Sequence, residues 1–181
     1  MSGDRNLATD DADLAIHRFH RWALGFASPG PRWFLSAVRF GFIMFATALA
    51  INVPVIAARI SFNYPLPPEP ERSLLSIVFG MILFAPLTET ALLVLIYKMT
   101  RPYLGAAGFI LVNTLLFGLL HIPSKGIPVS ATVLFLMMSY QYLSFRDALG
   151  PSRAFAGVAA SHGVNNSIAF LLIAAGMWLD P

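Results

Sequence analysis

Long apolar runs follow one another along most of this chain, separated by short loops that contain prolines and charged residues. A helix that crosses a bilayer needs about 20 apolar residues. About five runs reach that length, at residues 33–60, 74–97, 104–121, 127–145 and 154–179. The pattern predicts an all-α fold, in which residues 33–181 form a polytopic transmembrane helix bundle of about five spans.

The N-terminal segment, residues 1–32, has a different pattern. Within it, Asp10–Phe26 repeats apolar residues at helical spacing, with Phe19 and Trp22 on the apolar face, while arginines and histidines such as Arg18 fill the other face. A basic helix with aromatic residues on its apolar face is typical of the membrane surface. We therefore expect a cytoplasmic, interfacial amphipathic helix here, with an ordinary packed helix as the alternative.

The composition supports the membrane interpretation. Hydrophobic residues make up 57% of the chain and charged residues only 12%, whereas soluble domains average about 25% charged. The mean hydropathy is +0.69. Cysteine is absent, which excludes disulfides, thiolate metal sites and a cysteine nucleophile.

The basic residues predict the orientation of the bundle. When successive loops are assigned to opposite sides, one side collects most of the positive charge: Arg5, Arg18, Arg21, Arg32, Lys98, Arg101, Arg146 and Arg153. Loops rich in lysine and arginine stay on the cytoplasmic side. We expect a cytoplasmic N-terminus, location in the cell membrane and contact with lipid. The net charge of +3 is then a topology signal, and no nucleic-acid partner is expected.

Glu89 is the only acidic residue within the long apolar runs. A charged side chain at the bilayer centre costs about 2.5–3.5 kcal/mol on insertion scales, so such residues usually serve a function. Pro86 precedes it by one helical turn, and the proline ring clashes with the carbonyl of Ile82, which predicts a kink or a loosened turn. Arg39 lies near the start of its span, where its side chain can extend to the interface.

Two histidines and an asparagine are the other candidate site residues. His121 shares a helix face with Phe117, and His162 shares one with Asn166, since each pair is four residues apart. A carboxylate and an imidazole can activate water, and a carboxamide can stabilise an oxyanion. Together with Glu89 these groups suffice to hydrolyse an amide. Taken singly, each could instead form a hydrogen bond between helices.

Three segments in order, Ala85–Glu89, Asn113–Pro123 and His162–Asn166, resemble a known family. It is the CAAX prenyl endopeptidase and bacteriocin-processing family (CPBP, also called Abi) of intramembrane proteases. The motifs of that family are Glu-Glu-x-x-x-Arg, Phe-x-x-x-His and His-x-x-x-Asn. The second and third are matched in full, and the similar region covers about residues 74–179.

The resemblance implies a metal-independent protease that needs no cofactor and cleaves a peptide or a lipidated protein. Glu89, with His121, would activate water, while His162 and Asn166 would bind the oxyanion. Thr90 and Val94 stand where the family has its second glutamate and its arginine.

Other functions fit the same residues. Glu89, His121 and His162 form a ligand set that zinc hydrolases use, although there is no HExxH motif. A catalytically impaired family member could act as a membrane binding, immunity or scaffold protein. A small transporter or proton relay also uses intramembrane glutamate and histidine.

Overall fold

The computed structural model describes residues 32–61, 74–121 and 128–179, and within them it contains helices and no strand. The prediction of an all-α fold is confirmed. The predicted helix Asp10–Phe26 and most of the proline-rich loop after the first span lie outside the described residues. The helical segments in chain order are α1 Trp33–Ser61, α2 Leu74–Val78, a π-helix Phe79–Phe84, α3 Ala85–Leu120, α4 Pro128–Leu149 and α5 Pro151–Leu179.

Two stretches of the described residues are long and apolar enough to cross a membrane. They are Trp33–Pro54, with 22 residues, and Phe79–Leu120, with 42 residues. In each stretch, only 22% of the most apolar 18-residue part is buried inside the protein. The core helix of a soluble protein would be mostly buried, so this exposure of apolar residues indicates association with a membrane.

The helix α3 doubles back on itself at Gly105. This glycine has φ 67° and ψ −170°, a conformation that glycine adopts readily because it has no Cβ. The rings of Tyr97 and Phe109 lie 5.2 Å apart, whereas residues twelve apart in a straight helix are separated by about 18 Å. The two arms, residues 85–104 and 106–120, therefore form a helical hairpin, as the separate runs in the sequence predict.

The helix α5 is central, since it packs against α1, α3, α4 and the π-helix. Its contact with α1 depends on Gly41, where a Cβ atom would lie 2.6 Å from Ser161 O and 2.7 Å from Val164 Cβ. Small residues permit such close approach of two helix backbones.

A buried hydroxyl ties three helices together at this seam. Ser161 Oγ accepts a hydrogen bond from Gln141 Nε2 (2.6 Å) and lies 2.8 Å from Ala37 O and 2.9 Å from Gly157 O. Gln141 belongs to α4 and Ala37 to α1, so this cluster fixes both helices against α5.

Candidate functional site

The π-helix is the first unusual feature near Glu89. In this wide turn the amide of Ala85 donates to Gly80 O, five residues back. Pro86 carries no amide hydrogen and cannot continue the series, so the carbonyl of Met81 receives no backbone donor from it. The loosened turn predicted from Pro86 is confirmed. The carbonyl that loses its donor is that of Met81, five residues before Pro86, because the turn is one residue wider than in an α-helix. In a regular α-helix it would be the carbonyl of Ile82.

Glu89 follows this turn by five residues and faces α5. Its Oε2 lies 3.6 Å from His162 Nε2. That distance suits an ion pair but is too long for a hydrogen bond. A single water molecule could contact both atoms at about 2.8 Å. The Glu89 side chain is 25% exposed and that of His162 is 9% exposed, so the carboxylate can be reached from outside while the imidazole is buried.

His121 ends the second arm of α3. Its Nδ1 lies 2.8 Å from Phe117 O, and because a carbonyl only accepts, Nδ1 must donate this hydrogen bond. The basic lone pair of the neutral ring is then on Nε2. The predicted shared face of Phe117 and His121 is confirmed, since both rings contact Phe135.

Phe135 of α4 connects the two imidazoles. Its ring stacks on Phe117 with centroids 3.7 Å apart, lies 5.6 Å from His121 and meets His162 edge-on at 6.2 Å. Each histidine therefore contacts a ring that is itself almost fully buried. His121 and the Glu89–His162 pair are therefore linked by their shared contact with Phe135.

Asn166 lies one helical turn beyond His162 on α5. Its Nδ2 donates to Met81 O at 2.8 Å, and its Oδ1 accepts from Asn165 Nδ2 at 2.9 Å. His162 and Asn166 thus both face the segment formed by the π-helix and the start of α3, as their spacing predicts. Ser161 points instead toward α1 and α4, consistent with adjacent residues facing different sides of a helix.

Two polar atoms, one in His162 itself and one in the residue that follows Glu89 in the chain, are buried without a described partner. His162 Nδ1 and Thr90 Oγ1 meet no hydrogen-bonding atom in the part of the chain that the structure describes. Ordered water commonly satisfies such atoms. Thr90 is fully buried and Val94 packs against the hydrophobic core, so uncharged side chains occupy both positions where the resembled family carries charge.

Phe135 and the Met81 carbonyl also belong to this site, and no motif in the sequence marks either of them. The Phe117–His121 spacing defines a face but not which residue of α4 covers it, since that depends on tertiary packing. Met81 could have been found from Pro86, by counting back the five residues of a π-turn.

Within residues 32–61, 74–121 and 128–179, no three histidine, cysteine, aspartate or glutamate side chains are grouped so as to hold a metal ion. No protein-family model, curated protein or solved structure matches the chain. Its function is therefore inferred from the side chains themselves.

Proposed function

We propose that this chain is an intramembrane endopeptidase of the CAAX-protease/Abi type, a bundle of about five spans that hydrolyses a peptide bond with activated water. Its N-terminus is cytoplasmic and it resides in the cell membrane. The observation that carries the proposal is the approach of Glu89 Oε2 to His162 Nε2, 3.6 Å apart on two different helices. A carboxylate and a buried imidazole seldom meet in an apolar bundle without a functional reason.

The chemistry follows from the two groups. The Glu89 carboxylate takes a proton from a water molecule, and the water oxygen attacks the carbonyl carbon of the peptide. The negative charge that develops on the carbonyl oxygen is stabilised by donors on α5, namely His162 and the second N–H of Asn166. When the carbon–nitrogen bond breaks, Glu89 returns its proton to the leaving amine. Proton transfer of this kind contributes about 10²–10⁴-fold to a rate.

His121, which also contacts Phe135, has a supporting role. Its Nδ1 hydrogen bond to Phe117 O fixes the ring orientation and places the basic nitrogen at Nε2. It assists Glu89 in activating the water, while the transferred proton resides on Glu89 until it passes to the leaving amine. This role requires no contact with the peptide.

The substrate we propose is a peptide, or a lipidated protein, that approaches within the membrane. Two apolar residues near Glu89 in the chain, Phe84 and Leu87, are exposed at the protein surface. Side chains of this kind contact lipid in a bilayer. These side chains place the start of α3 in contact with lipid, and the Glu89 carboxylate on the same helix is itself 25% exposed. The proposed route of the substrate to Glu89 is therefore through the membrane.

The test compares Glu89→Gln with wild-type protein reconstituted in vesicles that contain a membrane-protein extract, in water enriched in ¹⁸O. Hydrolysis places ¹⁸O in each new C-terminal carboxylate, so cleavage of any protein in the extract is detected. The variant keeps the size of the side chain but cannot take the proton. We expect at least a 10²-fold loss of new labelled termini.

Asp147→Asn is the matched control, since it makes the same carboxylate-to-carboxamide change on an exposed residue of α4 beside Arg146. It should cleave like wild type. Unchanged labelling by Glu89→Gln would eliminate the proposed base. Stoichiometric zinc in the purified protein that is lost in His162→Ala would favour a zinc hydrolase.

The second candidate function is a catalytically impaired family member that binds a peptide or lipidated tail as an immunity or scaffold protein. The uncharged side chains of the buried Thr90 and the half-buried Val94 favour it, because they leave Glu89 without the charged neighbours of the resembled motif. In that case no labelled termini form with wild-type protein. Photocrosslinking from position 87 would still capture a membrane peptide, and capture would be unaffected by Glu89→Gln.

A further inference from the structure

The Met81 carbonyl lacks the backbone N–H donor that its position in the π-helix would give it. In the π-helix each amide donates to the carbonyl five residues before it, as Ala85 does to Gly80. The next amide in the series would be that of residue 86, and its acceptor would be Met81 O. Proline occupies that position and has no N–H to give. A buried carbonyl without a donor is costly, and more so in lipid, where water cannot replace the donor.

Asn166 supplies that donor from another helix. Its carboxamide nitrogen lies 2.8 Å from Met81 O, which is a normal hydrogen-bond length. The orientation of the carboxamide is determined by chemistry, because Met81 O can only accept. The opposite end is held by Asn165, whose Nδ2 donates to Asn166 Oδ1.

Two contacts, one helical turn apart on α5, therefore connect this helix to the segment formed by the π-helix and the start of α3. Asn166 holds the π-helix through Met81, and His162 meets Glu89. Four residues correspond to about 6 Å along α5. Gly163 lies between them, and a Cβ there would be 3.5 Å from Ile82 O, so the two backbones approach closely at this point.

We infer that Asn166, besides offering its second N–H to the oxyanion, has a positioning role: its carboxamide replaces the missing amide of Pro86 as donor to Met81 O, and so holds the π-helix in the register that presents Glu89 to His162. The hydrogen-bonding part stands whether or not the protein is a hydrolase. The consequence for catalysis rests on the proposed function.

The direct test observes the Met81 carbonyl. Among the seven methionines, only Met81 is followed by isoleucine. Protein labelled with ¹³C-carbonyl methionine and ¹⁵N-isoleucine therefore gives one carbonyl signal, detected through the Ile82 amide. In full-length protein in lipid nanodiscs, Asn166→Leu removes the donor and should shift this signal. Asn52→Leu makes the same replacement on α1 and should leave it in place.

A double-mutant cycle with Pro86→Ala supplies the rescue. Alanine at position 86 restores the backbone amide, so Met81 O regains a donor from residue 86 if the π-turn persists, or from Ala85 if the turn becomes α-helical. Asn166→Leu removes the Asn165 contact in both backgrounds. It should therefore lower the folding equilibrium constant about fivefold to tenfold more with Pro86 present than in the Pro86→Ala background. The measurement is reversible unfolding in mixed micelles.

Two results would overturn the inference. One is a Met81 carbonyl signal that Asn166→Leu does not move. The other is an equal loss of stability from Asn166→Leu in both backgrounds. Neither readout depends on cleavage, so failure of the proposed protease function is seen separately, as the absence of ¹⁸O-labelled termini in wild-type protein.

Discussion

Phe135 is the residue that most constrains the geometry of the candidate site. It is 3% exposed and touches three rings, those of Phe117, His121 and His162. Stacked and edge-on aromatic pairs each contribute about 0.5–1.5 kcal/mol beyond the area that they bury. A flat, buried ring in this position limits the rotation of both imidazoles. Phe135 therefore positions the two imidazoles by packing, although its ring takes no part in proton transfer.

Phe135→Leu tests that role against Phe109→Leu. Phe109 is equally buried but packs on Tyr97 and Tyr142, in a separate aromatic cluster. Both replacements should lower the free energy of unfolding by about 1–2 kcal/mol, less than truncation to alanine. Only Phe135→Leu should also slow cleavage, by about 10–100-fold, because small misplacements of catalytic groups are costly. Equal activities of the two variants would show that the packing of Phe135 on the histidines is not needed for cleavage.

At the scale of elements, two devices bring the polar residues together. Small residues let α1 lie directly on α5, and the π-helix turns the start of α3 so that Glu89 meets His162. The first device depends on Gly41, whose position leaves no room for a side chain. The second depends on Pro86 and on the side chain of Asn166.

Gly41→Ala should destabilise the protein by about 1–3 kcal/mol, because the added methyl group meets backbone and a β-branched side chain that cannot easily move. Gly80→Ala is the comparison. No atom lies within 4 Å of a Cβ at position 80, and alanine favours helix by about 1 kcal/mol relative to glycine. Unfolding in mixed micelles should show a loss for the first variant and none for the second.

The elements themselves were largely predictable from the sequence. The apolar runs match α1, the second arm of α3, α4 and α5 to within about four residues, because proline and glycine mark their ends. The run at 74–97 instead covers α2, the π-helix and only part of the first arm of α3, residues 85–104. Pro86 indicated the irregular turn. What the sequence could not supply was the pairing between helices. That His162 meets Glu89 across 3.6 Å, and that Phe135 covers both histidines, depends on packing between residues far apart in the chain.

For the whole molecule, the end of α4 and the end of the first arm of α3 meet at one end of the bundle, and the described residues Lys98, Arg101 and Arg146 lie on these helix ends. The Arg146 guanidinium lies 4.7 Å above the Tyr97 ring, which brings the ends of α4 and the first arm of α3 together. The start of α5 follows α4 after a single residue, Gly150. This end therefore carries the loops that should face the cytoplasm.

Cysteine labelling can test this orientation, because the chain has no cysteine of its own. Tyr103→Cys and Ser152→Cys lie at the basic end, whereas Leu75→Cys and Val129→Cys lie at the other; all four positions are exposed. An impermeant maleimide should label the first pair only in inverted vesicles and the second pair only in right-side-out vesicles. Labelling of both pairs from the same side would contradict the proposed topology.

The contact between α1 and α5 also has a consequence for the timing of assembly. Ala37 and Ser161 are 124 residues apart in the chain. At translation rates of about 5–20 residues per second, α1 waits about 6–25 s before the helix that covers it has been made. The hairpin of α3 can close within a few seconds, since its arms are neighbours in the chain. The earliest of the described helices to be synthesised is thus among the last to be packed, and until then the groove at Gly41 is open to any other helix in the membrane.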